Sequence, residues 1–165
     1  MRYAGINYND MNAAPGVSVT LFTQGCPHHC KGCHNPETWD FESGKEFTYE
    51  ILQSVIAGLH ANGIERSLCI MGGEPLCEQN AFLTLLVTKT VKEMSPNTKV
   101  YIWTGYTHEK LKHSGDCHIK MCLELADYLI DGPYIEELRD ITLAMRGSSN
   151  QNIIYLKGEN NGRTD

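Results

Sequence analysis

The chain has 165 residues, 41% of them hydrophobic, and a formal net charge of −6. That length predicts one domain with a proper core, and the acidic balance excludes a nucleic-acid surface built on clustered Lys and Arg. No apolar run approaches a membrane span, and Met1–Gly5 lacks the apolar core of a signal peptide, so a cytoplasmic setting is expected. Seven cysteines in a reducing compartment point to metal or catalytic use rather than a disulfide framework.

Residues 1–14 are polar and irregular, and no element is predicted there. Val17 to Phe22 is rich in β-branched and aromatic residues and reads as a strand. It runs into Gly25-Cys26-Pro27-His28-His29-Cys30-Lys31-Gly32-Cys33-His34, a loop whose glycines and proline suit a chain wrapping a compact object. After a connector over 35–47, Thr48 is the predicted N-cap of a helix reaching about His60, with Ile51, Leu52, Val55, Ile56 and Leu59 on one face. Ser67 to Met71 is a strand ending in Gly72-Gly73-Glu74-Pro75. A helix over Asn80 to Met94, with Phe82, Leu83, Leu86 and Val87 apolar, stops at Pro96. Lys99 to Trp103 is a strand ending in Thr104-Gly105. Residues 107–125 are helical with a break at Ser114-Gly115, and Ala126 to Ile130 is a strand ending in Asp131-Gly132. A short acidic turn near Glu136–Arg139, a polar loop over Arg146 to Gln151 and a last strand from Asn152 to Leu156 complete a domain over 1–156. Residues 157–165 read as a frayed tail.

Alternating strands and helices predict parallel βαβ units. Four apolar strands each end in a polar, glycine-bearing motif, and ligands in such folds sit at the carboxyl ends of strands. The four motifs are therefore expected on one rim. A full eight-fold barrel needs roughly 250 residues, so the expected α/β fold is a partial, open barrel with mostly parallel strands.

Cys26, Cys30 and Cys33 have the spacing C-x3-C-x2-C, with no fourth cysteine close by. A cubane [4Fe–4S] cluster takes four thiolates, so three would leave one iron open to a substrate or cofactor. The competing reading is zinc, with His28, His29 or His34 completing a Cys3His site. Cys69 lies inside an apolar strand and reads as a core thiol. Cys117 and Cys122, with His113 and His118 nearby, fit no standard zinc knuckle.

The cysteine spacing at the end of an apolar strand resembles the signature of the radical S-adenosylmethionine (SAM) enzymes. The longer run from Gly25 to Trp39, with Gly32 before the third cysteine, is similar to the activating enzymes of that superfamily, and in particular to the activators of anaerobic ribonucleoside-triphosphate reductases. The likeness covers about residues 14–156. It implies a partial barrel, a [4Fe–4S] cluster on Cys26, Cys30 and Cys33, and SAM bound at the open iron and cleaved reductively. It implies SAM contacts from Gly32, Cys33 and His34, largely through backbone atoms and near the adenine. Gly72, Gly73 and Glu74 match the glycine-rich SAM motif, with the Glu74 carboxylate suited to the SAM ammonium. Thr104 and Gly105, and also Asp131, suit the ribose, the methionine or a substrate loop, although turn chemistry explains them equally well. Arg146 to Gln151 resembles a signature of the reductase activators. The implied partner is a glycyl radical protein, the anaerobic reductase, with reduced flavodoxin or ferredoxin as electron donor. One departure is Ala14-Pro15-Gly16-Val17-Ser18, where the resembled run carries an arginine at the position of Ser18. The side chains of His28, His29 and His34 read as solvated loop histidines. Two rival readings are a small-molecule radical SAM enzyme, such as a 7-carboxy-7-deazaguanine synthase, and a zinc-binding interaction module.

Overall fold

The computed structural model describes residues 1–158. Seven strands, β1 (Arg2–Asp10), β2 (Ser18–Thr23), β3 (Lys45–Glu46), β4 (Ser67–Gly72), β5 (Val100–Trp103), β6 (Tyr128–Asp131) and β7 (Asn152–Tyr155), form one sheet in the order β3-β1-β2-β4-β5-β6-β7. The four central strands are parallel, and β1, β3 and β7 join antiparallel. The sheet is open, with β3 at one edge and β7 at the other.

This corrects the expectation of mostly parallel pairing, and connection length explains why. A parallel partner needs a crossover of a dozen or more residues, usually helical. The β1–β2 link is too short for one, and the β6–β7 link carries only a 3-10 turn at Glu136–Leu138. The nine-residue β1 also corrects the expectation that residues 1–14 form no element. It sits near an edge with Tyr3 and Asp10 buried and much of the rest exposed, so its sequence lacks the apolar alternation that signals a strand.

The four helices, α1 (Tyr49–Leu59), α2 (Glu78–Met94), α3 (His108–Lys112) and α4 (Cys117–Leu125), follow the predicted pattern. The Thr48 side chain caps α1 by accepting from the Ile51 amide. On α2, however, Phe82 is 49% exposed, while Ala81, Leu83, Thr84, Leu85 and Val87 are buried. The main core gathers Val55 and Leu59 of α1, Ala81 and Val87 of α2 and Cys122 of α4 onto Val19, Leu21, Leu68, Ile70, Ile102 and Leu129 of the sheet. A smaller cluster on the alternate strand positions joins Cys69, Tyr101 and Ile130 to Ala13 and Ala14. The layers thus leave the carboxyl ends of β2, β4, β5 and β6 side by side.

At the opposite end, the Asp127 carboxylate accepts from Lys92 Nζ at 2.5 Å, Lys99 Nζ at 3.3 Å and the Val100 amide at 2.9 Å. Burial opposes the charge of Asp127, but these donors win, and its carboxyl titrates below the ordinary 3.8. Ser18 is fully buried, and its hydroxyl donates to the Asp10 carbonyl at 3.0 Å. The place of the missing arginine is thus a closed seam between β1 and β2. Lys157 turns back onto the Glu124 carbonyl, and the rest of the expected tail, 159–165, lies outside the described residues. No helix among the described residues is long and apolar enough to cross a membrane.

Candidate metal and cofactor site

The cysteine loop leaves β2 and is stapled at its base. The Gly25 amide donates to the Thr38 carbonyl at 2.8 Å, and the Cys26 amide to the Trp39 carbonyl at 3.0 Å. Inside the loop the Cys33 amide donates to the Cys30 carbonyl at 3.1 Å. His29 adopts a left-handed φ of 48° and stacks its ring on Trp39, centroids 4.8 Å apart.

The end of β4 lies directly against this loop. The Glu74 amide donates to the Gly25 carbonyl at 2.8 Å, and Asn80 Nδ2 donates to the same carbonyl at 3.0 Å. Gly73 is required here, because a Cβ on it would lie 2.3 Å from the Gly25 oxygen. Gly105, at the end of β5, is bare for a similar reason: a Cβ would meet the His28 ring at 2.6 Å. The connector between β6 and β7 crosses the loop from the far side. Lys31 pairs with Glu136 at 3.1 Å and Glu137 at 3.3 Å.

These segments enclose a cavity of about 400 Å³, within the range of small-molecule sites. The cysteines and the residues expected to contact SAM beside them and at the ends of β4 and β5 all border it: Cys26, Cys30, Cys33, Gly32, His34, Gly72, Gly73, Glu74, Thr104 and Gly105. Asp131 does not. Its carboxylate accepts from the His108 amide at 2.7 Å and Asn152 Nδ2 at 2.8 Å, while Gly132 reaches the cavity. The Arg146–Gln151 run builds one wall. Gln151 Oε1 accepts from the Gly147 amide at 2.8 Å, and its Nε2 donates to the Gly132 carbonyl at 3.0 Å.

The sequence reading did not single out Trp39, Trp103, Tyr134 or Arg139, which also border the cavity. It also read His28 as solvated, whereas His28 is partly buried and hydrogen-bonds the Glu74 carboxylate at 2.8 Å. His29 and His34 are exposed, as expected.

Two of the loop thiols, Cys26 and Cys30, are held toward the neutral form. Burial pushes the Cys26 and Cys30 thiols up; for Cys26 the Glu74 carboxylate adds to this, while backbone hydrogen bonds from His28 and His29 pull back. A bound metal reverses that balance by stabilising thiolate directly. The Asn35 amide lies 3.4 Å from the Cys33 sulfur as a further donor. Trp39 Nε1 and Arg146 Nε are buried donors without a partner among the described residues, and both residues border the cavity. Two unspent donors fit a guest that carries acceptors.

A single zinc ion gathers its thiolates to about 4 Å of one another. The three loop sulfurs are not drawn within 4.8 Å of each other; among the described residues that grouping occurs at Asp116, Cys117 and His118. Asp116, Cys117 and His118 are consecutive at the start of α4, and Asp116 Oδ1 is already spent capping the His118 amide at 2.8 Å. Cys122 is buried away from them, with its thiol pushed up to about 12 by burial. Cys69, likewise raised to about 12, is the core thiol expected.

Fold and site together define an α/β protein with a three-cysteine loop at the carboxyl ends of a parallel sheet core. The family described as 4Fe-4S single cluster domain matches residues 13–154. The anaerobic ribonucleoside-triphosphate reductase-activating protein of Salmonella typhimurium is 35% identical over 158 residues, covering 95% of this chain and 100% of the relative. The protein of that name from Vibrio cholerae is 39% identical over 143 residues, 86% of this chain and 90% of its own length. That of Enterobacteria phage T4 is 35% identical over 153 residues, 93% of each. The chain belongs to the radical SAM family, among the close relatives of these activating proteins.

Proposed function

We propose that this protein activates an anaerobic ribonucleoside-triphosphate reductase by generating a glycyl radical on it, through reductive cleavage of SAM. The observation that carries this reading is the convergence of the three-cysteine loop and the Gly72-Gly73-Glu74 and Thr104-Gly105 strand ends on one cavity, in a chain collinear with the activating proteins.

Cys26, Cys30 and Cys33 would hold a [4Fe–4S] cluster, and when bound the cluster supplies one electron at an iron that no protein thiolate occupies. The chain's own work is placement. Gly32, Cys33 and His34 offer backbone groups beside the third sulfur. Gly73 and Gly105 let the strand ends pack directly against the Gly25 carbonyl and the His28 ring, which holds the cysteine loop beside the cavity. Trp39 and Arg146 contribute the buried donors that lack a protein acceptor. The sheet, read as a partial barrel, leaves its cavity open to a partner's peptide. Glycine suits the reacting position because no side chain blocks approach to its Cα. When bound, SAM would supply the acceptor for the hydrogen atom lost from that Cα, its adenosyl 5′-carbon, once one-electron reduction has broken the C5′–S bond and released methionine. A reduced flavodoxin or ferredoxin in the cytoplasm would supply the electron.

The test is anaerobic. Reduced, iron-loaded protein is mixed with SAM and the candidate reductase, and the mixture is examined by electron paramagnetic resonance (EPR). A glycyl doublet on the reductase is the expected result. Steady SAM cleavage without that doublet would point to a small-molecule substrate instead.

A further inference from the structure

The Glu74 side chain is wholly buried, and all of its acceptor capacity is spent on the protein. Oε1 accepts from the Leu76 amide at 2.8 Å and the Thr104 hydroxyl at 2.8 Å. Oε2 accepts from the Gly105 amide at 2.7 Å and His28 Nε2 at 2.8 Å. A carboxylate has about four such positions, so none is left for a ligand's ammonium. Three of the donors lie on the loops that follow β4 and β5. The fourth, His28, lies on the cysteine loop, two residues after Cys26 and two before Cys30. Its ring packs edge-on against Tyr106, centroids 4.5 Å apart, and occupies the space that Gly105 leaves open.

We infer that Glu74 and His28 are a positioning pair: the carboxylate ties the cysteine loop to the ends of β4 and β5 and fixes the cluster ligands relative to the glycines that would border SAM. The inference rests on the function proposed above. His28 spends its Nε2 on the Glu74 carboxylate. It acts through the loop it holds: among the described residues its charge-assisted hydrogen bond is the contact by which the Glu74 side chain reaches that loop, beside the backbone bond from the Glu74 amide to the Gly25 carbonyl. Losing it should loosen the loop without removing a cluster ligand.

His28→Phe keeps an aromatic ring beside Tyr106 but removes the donor. His28→Gln keeps an N–H donor without the ring. Both variants and the parent are loaded with iron and sulfide anaerobically. The readouts are iron per chain, SAM affinity by titration, and the EPR spectrum of the reduced cluster before and after SAM. All three should bind the same iron. His28→Phe should lose roughly tenfold to hundredfold in SAM affinity and should show a broadened or blunted spectral response to SAM. His28→Gln should recover most of both. In a double-mutant cycle, adding Glu74→Gln to His28→Phe should cost less than the two separate losses combined. His28→Phe with the parent's affinity and spectrum overturns the pair, and so does His28→Gln performing no better than His28→Phe. Iron lost from both variants overturns it too, since the ring would then serve cluster assembly rather than placement. A parent that takes up no iron, or ignores SAM, instead brings down the functional reading on which the pair rests.

Discussion

The Cα of Gly73 faces the carbonyl of Gly25 so closely that a single methyl group between them would sit 2.3 Å from the oxygen. Neither neighbour is a side chain that can swing away, so the strand end and the cysteine loop must separate to admit it. Gly73→Ala should cost about 1–3 kcal/mol as an overpacked contact, which lowers Tm by about 2–12 °C in a chain of this size. SAM affinity should fall with it. Gly115→Ala, with open space around its Cβ position, should leave both within error. Calorimetry and SAM titration on the pair of variants check this.

Replacing Cys26, Cys30 or Cys33 by Ala should abolish the four-iron chromophore and SAM cleavage together. Cys69→Ala should keep both, because that thiol is buried in the smaller core cluster rather than facing the cavity. Its cost should be about 1–2 kcal/mol of packing, scaled down from larger core truncations. Iron analysis, absorption spectra and 5′-deoxyadenosine yield separate the two groups. A Cys30→Ala protein cleaving SAM at the parental rate would remove the loop from the chemistry.

Asp127 sets an acid-side stability term far from the cavity. Its folded pKa lies below the ordinary 3.8, despite burial, because Lys92, Lys99 and the Val100 amide favour the charged form. The unfolded state therefore binds the proton more readily than the folded state. The contribution is complete above 3.8 and drains away as the pH falls from there through the lowered folded value. Asp127→Asn should flatten that part of the stability curve. At neutral pH it should also cost about 3 kcal/mol, since Lys92 is left largely buried and unpaired. Denaturant melts from pH 3 to 7 on the parent and the variant measure both effects.

The parallel core was legible because β2, β4, β5 and β6 are short runs of β-branched, aromatic and aliphatic residues with few polar interruptions, as strands covered on both faces tend to be. Thr48 was legible as a cap for a local reason, its hydroxyl serving an amide three residues on. β1 was not, because a half-exposed strand next to the sheet edge carries little apolar periodicity. Phe82 misled for the opposite reason. Its apolar ring lies half outside while Asn80 and Thr84 turn inward, satisfied by the Gly25 and Pro75 carbonyls. The cavity-lining glycines stood out through their motifs, whereas the meeting of His28 with Glu74 joins residues 46 positions apart. No local pattern encodes such a contact. It depends on how the cysteine loop folds back over the ends of β4 and β5.

The central claim is that this chain moves a hydrogen atom from a partner's glycine to SAM, and following that atom tests it most directly. The candidate reductase is prepared with α-deuterated glycine and incubated anaerobically with reduced, iron-loaded protein and unlabelled SAM. The 5′-deoxyadenosine is then analysed by mass spectrometry. The account predicts one deuterium in the product and a glycyl EPR signal that has lost its doublet splitting to the exchanged Cα position only in proportion to label. Unlabelled 5′-deoxyadenosine, formed in quantity while the reductase stays without a radical, would contradict it.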